Sequence, residues 1–446
     1  MHHTRTVQLA LFLIVLATLC VGCNEPSGES PPGNKAITAT ANNSKVSANP
    51  TSNQLSPSPN RSVHPWPTVG QNYQRTSCSP FAGPEHPELK WSAKLIRTAS
   101  FKKYPLNSSP LISNDGNIYI QSDRYTLNAI SKEGKLLWHT SSTGEWHFNQ
   151  PFIADDGALL SAADTIYRVD PVTGALSHLF DQDLDIPLVL ERKEQYHLLF
   201  PLDANTLVGL AVSSSESPLE VLNDCSADMI SLDLQGNVNW SVPINVTSLG
   251  EMALGLNRHF YLLGSLGKLA AYDQTGSMLW QLDSKQPVWS NSPVVAPDGT
   301  ILIFGVSTAE IHCIDQNGQQ VWMQKFPDWR VKHLAVTKTG LIVAGVYIPP
   351  NPHSDNTPLG KLVQISPDGS IVWEVPTGDG VGNITIDKTG TIYLPMTDGL
   401  NAYYPDGTIK WHLEVGKLTK QASIGEDGTI YALGWNAVLY AIGEAD

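Results

Sequence analysis

The sequence predicts an all-β protein in which one four-stranded unit is repeated around a ring. Three observations support this: a recurring Gly-Trp pair, a second recurring turn, and a composition rich in turn formers. The 446 residues include 12 Trp, 35 Gly and 31 Pro, and only 16% are charged, whereas about 25% is usual in soluble domains. Many short strands joined by tight turns account for such a composition better than helices do.

The most regular element of the sequence is a Gly followed four residues later by a Trp. It occurs at Gly134 and Trp138, Gly236 and Trp240, Gly276 and Trp280, Gly318 and Trp322, Gly369 and Trp373, and Gly407 and Trp411. In a degenerate seventh copy, His178 stands four residues after Gly174. The copies are 38 to 62 residues apart, a spacing typical of repeated supersecondary units.

A second turn lies about 22 residues before most of these terminal positions. Its copies are Asp115-Gly116, Asp156-Gly157, Asp298-Gly299, Thr339-Gly340, Thr389-Gly390 and, in the last unit, Asp427-Gly428. Apolar and polar residues alternate between the turns, as in residues 117–120 and 391–394. Alternation of period two that is bounded by such turns indicates antiparallel hairpins. Each unit therefore supplies four short strands.

The two ends of the repeat predict a closed ring. Seven units end at residues 138, 178, 240, 280, 322, 373 and 411. The last unit, residues 422–442, has only three strands, and residues 89–93 form an isolated strand before the first unit. We therefore predict a single eight-bladed β-propeller of four-stranded antiparallel blades, closed by the strand near Trp91. Closure removes the exposed sheet edges of an open array.

Seven tryptophans occupy the same place in their units, which indicates one repeated packing role. They are Trp91, Trp138, Trp240, Trp280, Trp322, Trp373 and Trp411. We interpret them as structural residues that fill the seams between neighbouring blades, in preference to a surface that stacks on a cofactor. The Asp-Gly pairs are likewise interpreted as turns, because a calcium loop needs several converging oxygens at a defined spacing.

The N-terminus resembles a bacterial lipoprotein signal. Arg5 precedes an apolar run over residues 7–21, which is short for a membrane span but fits a signal peptide. The run ends in Gly22-Cys23, which predicts cleavage after residue 22 and lipidation of Cys23, although Cys20 stands where such signals usually carry Leu. An ordinary secretory signal or an uncleaved anchor is the alternative. Residues 23–64, rich in Pro, Ser and Asn, are predicted to form a disordered tether before a propeller over residues 65–446.

The repeat resembles that of the pyrroloquinoline-quinone-type propellers. The matching segments are residues 271–276 with Trp280, residues 313–315 with Trp322, and residues 232–233 with Trp240. The segment from Trp66 to Trp91 also resembles the start of bacterial propellers built from this repeat. The family includes quinoprotein dehydrogenases and the non-enzymatic propeller lipoprotein of the outer-membrane barrel-assembly machine, so the resemblance predicts the fold and leaves function open.

If the resemblance to the dehydrogenases extended to their activity, it would imply several active-site features, and the sequence does not match them. They use adjacent cysteines beside the quinone, together with calcium ligands and a catalytic Asp. The cysteines here, at positions 20, 23, 78, 225 and 313, are never adjacent, and no stretch matches the calcium ligands. We therefore predict a protein that is not an enzyme and needs no cofactor or metal. Pairing of Cys78 with Cys225 is left open.

One rim of the propeller carries aromatic and basic residues that blade packing does not directly explain. These candidate binding residues are Trp146, His147, Trp289, Trp329, Arg330, Lys332 and His333. They follow the outer strand of a blade by a few residues and should therefore lie near the central channel. A binding face is enriched in such side chains. The alternative is local loop packing over the channel mouth. We predict that Trp289, Trp329 and Arg330 are substantially exposed around one opening.

Charge narrows the set of partners. The net charge is −14, and −15 once residues 1–22 are removed, so we expect no nucleic-acid partner, because phosphates require a basic surface. We predict a monomeric lipoprotein, anchored in the bacterial cell envelope by its lipid, whose propeller is a scaffold for a protein partner. The alternatives are a quinone-dependent dehydrogenase with a diverged site and a carbohydrate-binding propeller.

Overall fold

A computed structural model describes most of the chain beyond residue 63. The described residues are 64–97, 109–123, 126–141, 149–154, 156–162, 166–179, 194–203, 205–213, 227–244, 251–264, 268–283, 292–305, 309–349, 359–378, 382–418 and 420–446. All of the named regular elements in these ranges are strands. They form eight four-stranded antiparallel sheets. The predicted eight-bladed β-propeller is therefore confirmed, including the weakly repeated third blade.

The first strand of the chain and blades one to four are built from short strands that follow one another in sequence. Their bounds are β1 (Pro87–Lys94), β2 (Leu111–Ile112), β3 (Ile118–Gln121), β4 (Thr126–Ile130), β5 (Leu136–Ser141), β6 (Asn149–Ile153), β7 (Leu159–Ala162), β8 (Ile166–Val169), β9 (Leu176–His178), β10 (Glu194–Asp203), β11 (Thr206–Ser213), β12 (Ala227–Asp233), β13 (Val238–Ile244), β14 (Glu251–Leu254), β15 (Phe260–Leu263), β16 (Lys268–Tyr272) and β17 (Met278–Asp283). Blade one is β2 to β5, and each later blade takes the next four strands.

Blades five to eight continue the same pattern. Their strands are β18 (Val294–Val295), β19 (Ile301–Phe304), β20 (Glu310–Ile314), β21 (Gln320–Lys325), β22 (Arg330–Val336), β23 (Ile342–Tyr347), β24 (Gly360–Ile365), β25 (Ile371–Gly378), β26 (Thr385–Ile386), β27 (Ile392–Pro395), β28 (Gly399–Tyr403), β29 (Ile409–Glu414), β30 (Ser423–Ile424), β31 (Ile430–Leu433) and β32 (Val438–Glu444). Within each blade the first strand is innermost and lies beside the first strand of a neighbouring blade.

The ring closes where β1 pairs with β32. The pairing is antiparallel, with Pro87 opposite Glu444, Trp91 opposite Ala441 and Lys94 opposite Val438. The outermost strand of blade eight is thus contributed by the N-terminal part of the propeller, as the sequence predicts. Joining the two ends of the chain in one sheet satisfies backbone groups that would otherwise be left at an edge.

The hydrophobic core is divided among the seams between blades. Eight clusters of buried side chains are present, and each is assembled from two neighbouring blades. One cluster, for example, joins Tyr261 and Leu269 of blade four to Val295 and Ile301 of blade five. Because each blade buries its two faces against two neighbours, the ring is held together by these repeated contacts.

Each repeat tryptophan other than Trp411 contacts the Gly turn of the next blade; Trp411 instead contacts the segment at Pro84, which leads into β1. Trp280 Nε1 donates a hydrogen bond of 2.8 Å to the carbonyl oxygen of Gln316, and a Cβ at Gly318 would lie 2.7 Å from the Trp280 ring. The corresponding acceptors for Trp91, Trp138, Trp240, Trp322, Trp373 and Trp411 are the carbonyls of Lys132, Pro171, Gln274, Pro367, Pro405 and Pro84. The spacing of Gly and Trp in sequence therefore encodes contacts between blades and not within one blade.

Candidate functional site

The channel of the propeller is crossed by residues 64–83, which we call the strap. Backbone hydrogen bonds tie the strap to the innermost strands of six blades: one, two, four, five, six and seven. The bonded pairs are Trp66 with Ile112, Pro67 with Ile153, Tyr73 with Leu254, Gln74 with Val295, Thr76 with Val336, and Ser77 with Ile386, at 2.8 to 3.2 Å. Every partner is the last residue of its strand. The strap therefore closes the end of the channel at which the innermost strands finish.

The sequence predicts a propeller segment over the strap but not this path. The only sequence signal for this segment is the resemblance of residues 66–91 to the start of bacterial propellers built from this repeat. The structure buries Trp66 completely among side chains of blades eight and one. Each strap bond joins residues far apart in sequence, so short-range patterns carried no information about it.

The candidate binding rim lies at the opposite end of the channel, where the innermost strands begin. Trp329 directly precedes β22, and Arg330, Lys332 and His333 belong to its first half. Trp146, His147 and Trp289 lie outside the described residues. Trp329 and Arg330 are half-buried, so they are less exposed than the sequence predicts, whereas Lys332 is exposed. The described part of the rim therefore lies on blade six, at the end of the channel opposite the strap.

Trp329 is held firmly on the rim. Its ring packs against the seam between blades five and six, and Lys361 Nζ lies 4.6 Å from the ring centroid. The same ammonium group donates a hydrogen bond of 2.8 Å to Glu374. Arg330 Nη1 donates to the carbonyl of Trp329 at 2.9 Å. These contacts fix an aromatic ring and a guanidinium side by side, which favours binding because little side-chain freedom remains to be lost.

Behind the rim, the strap turns the channel into a cavity of about 260 Å³ that is closed at one end. Gly70, Arg75 and Ser77 of the strap form its floor. Ser292, His333, Asn383, Lys420 and Gln421 contribute to its walls. Arg75 Nη1 donates a hydrogen bond to Ser292 Oγ, which joins the floor to the wall of blade five.

Desolvation lowers the pKa of three basic groups around this cavity. It lowers the pKa of Lys420. The Lys332 side chain is exposed overall, but partial desolvation and then repulsion from Lys420 lower its pKa as well. The His333 ring is neutral because burial, followed by repulsion from Lys332, lowers its pKa to about 3. His333 Nδ1 accepts a hydrogen bond of 3.2 Å from the backbone N–H of Ile384, so its proton is on Nε2.

Stability is expected to fall in mild acid because of His333. Its folded-state pKa of about 3 lies below the ordinary value of 6.5, so the unfolded chain takes up the proton first. The stabilisation is therefore complete above pH 6.5 and is lost as the pH falls towards 3. We expect His333→Asn, which retains an acceptor for Ile384, to flatten the dependence of the unfolding midpoint on pH between 7 and 4. The same substitution at exposed His139 should leave that dependence unchanged, and equal effects would exclude this role for His333.

The described cysteines are buried thiols in the core. Cys78 and Cys313 are both free. Burial raises the pKa of Cys78 and raises that of Cys313 to about 11, so both are protonated and unreactive at neutral pH. Cys225, the partner considered for Cys78, lies outside the described residues.

Neither a metal site nor a membrane-spanning helix is present in the part of the chain that the structure describes. It contains no group of three or more His, Cys, Asp or Glu side chains placed to hold a metal ion. Within the same residues, no helix combines the length and apolar character required to cross a membrane.

The ring of four-stranded blades defines the chain as an eight-bladed β-propeller. A family model described as outer membrane protein assembly factor BamB matches residues 265–357. The structure of BamB from Moraxella catarrhalis is similar, with a TM-score of 0.52 and 15% identity over 80% of this chain and 99% of that chain. The predicted resemblance to the propeller subunit of the barrel-assembly machine is thus confirmed in repeat and in fold.

Two lyases are also structurally similar at a lower level. Virginiamycin B lyase from Staphylococcus aureus has a TM-score of 0.49 and 12% identity over 80% of this chain and 99% of that chain. A streptogramin B lyase has a TM-score of 0.47 and 11% identity over 80% and 97%. Likeness at this level carries no argument about activity. A search of curated proteins gave no significant match.

Proposed function

We propose that the protein is a non-catalytic scaffold of the bacterial cell envelope whose propeller binds another polypeptide. The observation that carries this proposal is the match of residues 265–357 to the assembly-factor family model. This segment includes the seam between blades four and five and reaches the rim at Trp329. The likeness in fold to a BamB structure supports the same reading.

The open end of the channel is the surface that we propose for the partner. The strap occupies the other end, where its backbone already bonds to six innermost strands. At the open end, Trp329 and Arg330 form a fixed aromatic and cationic pair, and Lys332 is exposed beside them. Aromatic and arginine side chains contribute strongly to binding energy in protein interfaces. An acidic partner segment would complement this patch on an otherwise acidic protein.

Site-specific photo-crosslinking in cells tests this proposal. A photoreactive residue in place of Lys332 should capture a discrete polypeptide, and the same residue in place of Lys388, at the strap end, should not. The capture should be at least about ten-fold weaker after Trp329→Ala, which removes an aromatic anchor worth roughly 2 kcal/mol. Equal capture at both ends, or no capture at position 332 in repeated experiments, would argue against a rim-bound partner.

The lipid anchor is the second element of the proposal. We infer that Cys23 is acylated and holds the propeller at the membrane through residues 23–64. Two acyl signals are needed for stable anchoring, so Cys23→Ser should move the protein from the membrane fraction to the soluble fraction and abolish labelling by a palmitate analogue. Cys20→Ser is the matched control and should retain both properties. Loss of labelling in the Cys20 variant alone would contradict the assignment to Cys23.

A further inference from the structure

The most exposed tryptophan that the structure describes lies at the place where the ring closes. Trp435 is 54% exposed and belongs to the turn between β31 and β32 of blade eight. Because β31 runs antiparallel to the innermost strand β30, this turn lies where β30 begins, at the open end of the channel. Exposed indoles are enriched in protein interfaces, so the turn is a candidate contact surface.

Backbone hydrogen bonds hold this turn from two sides. On one side, the N–H of Trp435 donates to the carbonyl of Lys417, which precedes blade eight, at 2.9 Å. On the other side, the N–H of Leu95, which follows the closing strand β1, donates to the carbonyl of Ala437 at 2.9 Å. The backbone that carries the indole is therefore fixed before any partner binds, and less ordering remains to oppose binding.

Apolar and basic side chains lie beside the indole. Lys417 Nζ is 4.4 Å from the centroid of the Trp435 ring. Ile96 is 39% exposed and is the next residue after Leu95, which is bonded to the turn. Lys94, the last residue of β1, is exposed and lies opposite Val438. We call Lys94, Ile96, Lys417 and Trp435 the closure patch.

The closure patch is basic on an acidic protein. In the described part of the chain, neither Lys94 nor Lys417 belongs to an ion pair. The sequence has no Asp or Glu from residue 89 to residue 114, although the whole chain carries a net charge of −14. The acidic residues on the adjoining blades are Asp123, Asp398 and Glu414. Exposed cations beside an apolar surface favour a partner that is both acidic and apolar.

We propose that the closure patch docks an acidic segment of the polypeptide partner that also carries an apolar side chain. The apolar side chain packs against Trp435 and Ile96, and the carboxylates lie towards Lys94 and Lys417. This inference rests on the proposed scaffold function. It gives the partner a second contact, on blade eight, in addition to the rim on blade six. Two contacts on one rigid ring bind more tightly than either does alone, because the second forms within the complex.

Photo-crosslinking in cells, followed by mass spectrometry of the adduct, tests the closure patch. A photoreactive aromatic residue in place of Ile96 should capture the same polypeptide as the photoreactive residue at position 332, and the linked peptide should carry a net negative charge. The same residue in place of Leu256, which is 61% exposed at the strap end, should not capture it. Capture at position 332 without capture at position 96 would overturn this inference alone. The absence of capture at both positions would contradict the scaffold function as well.

Variants decide whether the side chains of the closure patch are responsible. Trp435→Ala and Lys417→Glu should each weaken capture at position 96 at least about ten-fold, whereas Lys417→Arg should retain it. Lys135→Glu, on an exposed turn at the strap end, changes the net charge equally and should leave capture unchanged. Capture that is equal in wild type and Trp435→Ala, or equal in wild type and Lys417→Glu, would overturn the proposal.

The adduct also distinguishes other occupants of the closure patch. An adduct that contains only peptides of this chain would identify a second copy as the occupant. Displacement of the adduct by a chito-oligosaccharide would identify a sugar site. A linked peptide without net negative charge would exclude the charge complementarity. Each of these results would overturn the proposal.

Discussion

Replacing Gly318 by alanine is expected to lower the free energy of unfolding by about 2–4 kcal/mol. Gly318 has a φ of +82°, and an added Cβ would lie 2.7 Å from Cδ2 of Trp280. The substitution therefore combines backbone strain with a collision inside the seam between blades four and five. The ring of Trp280 cannot withdraw without giving up its hydrogen bond to Gln316. Chemical denaturation followed by tryptophan fluorescence measures the loss.

Gly416→Ala separates the two causes of this loss. Gly416 has a φ of +85°, but nothing lies within 4 Å of the position that its Cβ would take. It should therefore lose only the strain contribution, about 1 kcal/mol. If the two alanine variants are equally unstable, the contact between Trp280 and Gly318 contributes nothing and the seams are held by the aliphatic clusters alone.

Replacing Trp66 by alanine is expected to cost about 3–5 kcal/mol. Trp66 is completely buried, packs against the clusters of blades eight and one, and begins the strap. Its loss leaves a cavity and also weakens the first of the six attachments, one to each of six blades, that hold the strap across the channel. We expect a lower unfolding midpoint and faster proteolysis within residues 64–77 under native conditions.

Trp435→Ala is the matched control for this prediction. Trp435 is 54% exposed and contacts Lys417, whose Nζ lies 4.4 Å from the ring centroid. Loss of such an exposed contact should cost only about 0.5–1 kcal/mol and should leave the strap resistant to protease. A Trp66 variant that keeps its strap protected would show that the backbone bonds, and not this side chain, secure the segment.

The fold could be predicted from the repeat because its marker residues lie close together in sequence. Gly318 and Trp322 are four residues apart, and such pairs recur with each blade, so the sequence alone fixes the number of units and their strands. The turn that each Trp contacts could not be predicted from this short-range pattern. Trp280 contacts the turn at Gly318 in the following blade, and the contact joins residues almost one full repeat apart.

The degenerate second blade shows how far the pattern can weaken without losing the fold. His178 replaces the expected Trp, and its ring lies 5.2 Å from that of Tyr167 within the same blade. The seam to blade three is still filled, by Phe152, Leu207 and Ile230 among others. Aliphatic burial therefore maintains the ring where the aromatic contact is missing.

The candidate site was only partly accessible to prediction. Trp329 and Arg330 stood out because they fall outside the repeat, but their half-buried state depends on Lys361 and on the seam of blades five and six. Arg75 gave no signal at all, because an isolated arginine in an irregular segment has no pattern around it. Lys420, which lines the same cavity as Arg75, was not among the candidate residues either.

The sequence by itself determined the class of fold, the eight units and the closing strand, because strand alternation and turn residues act over a few neighbours. Only the tertiary structure decided that residues 64–83 cross the channel. That path depends on hydrogen bonds between Pro67 and Ile153 and between Ser77 and Ile386, which join residues far apart in sequence. The same path turns an open channel into a basic cavity. The blades are determined by interactions between residues close in sequence. The candidate site depends instead on the position of residues 64–83, which only long-range hydrogen bonds determine.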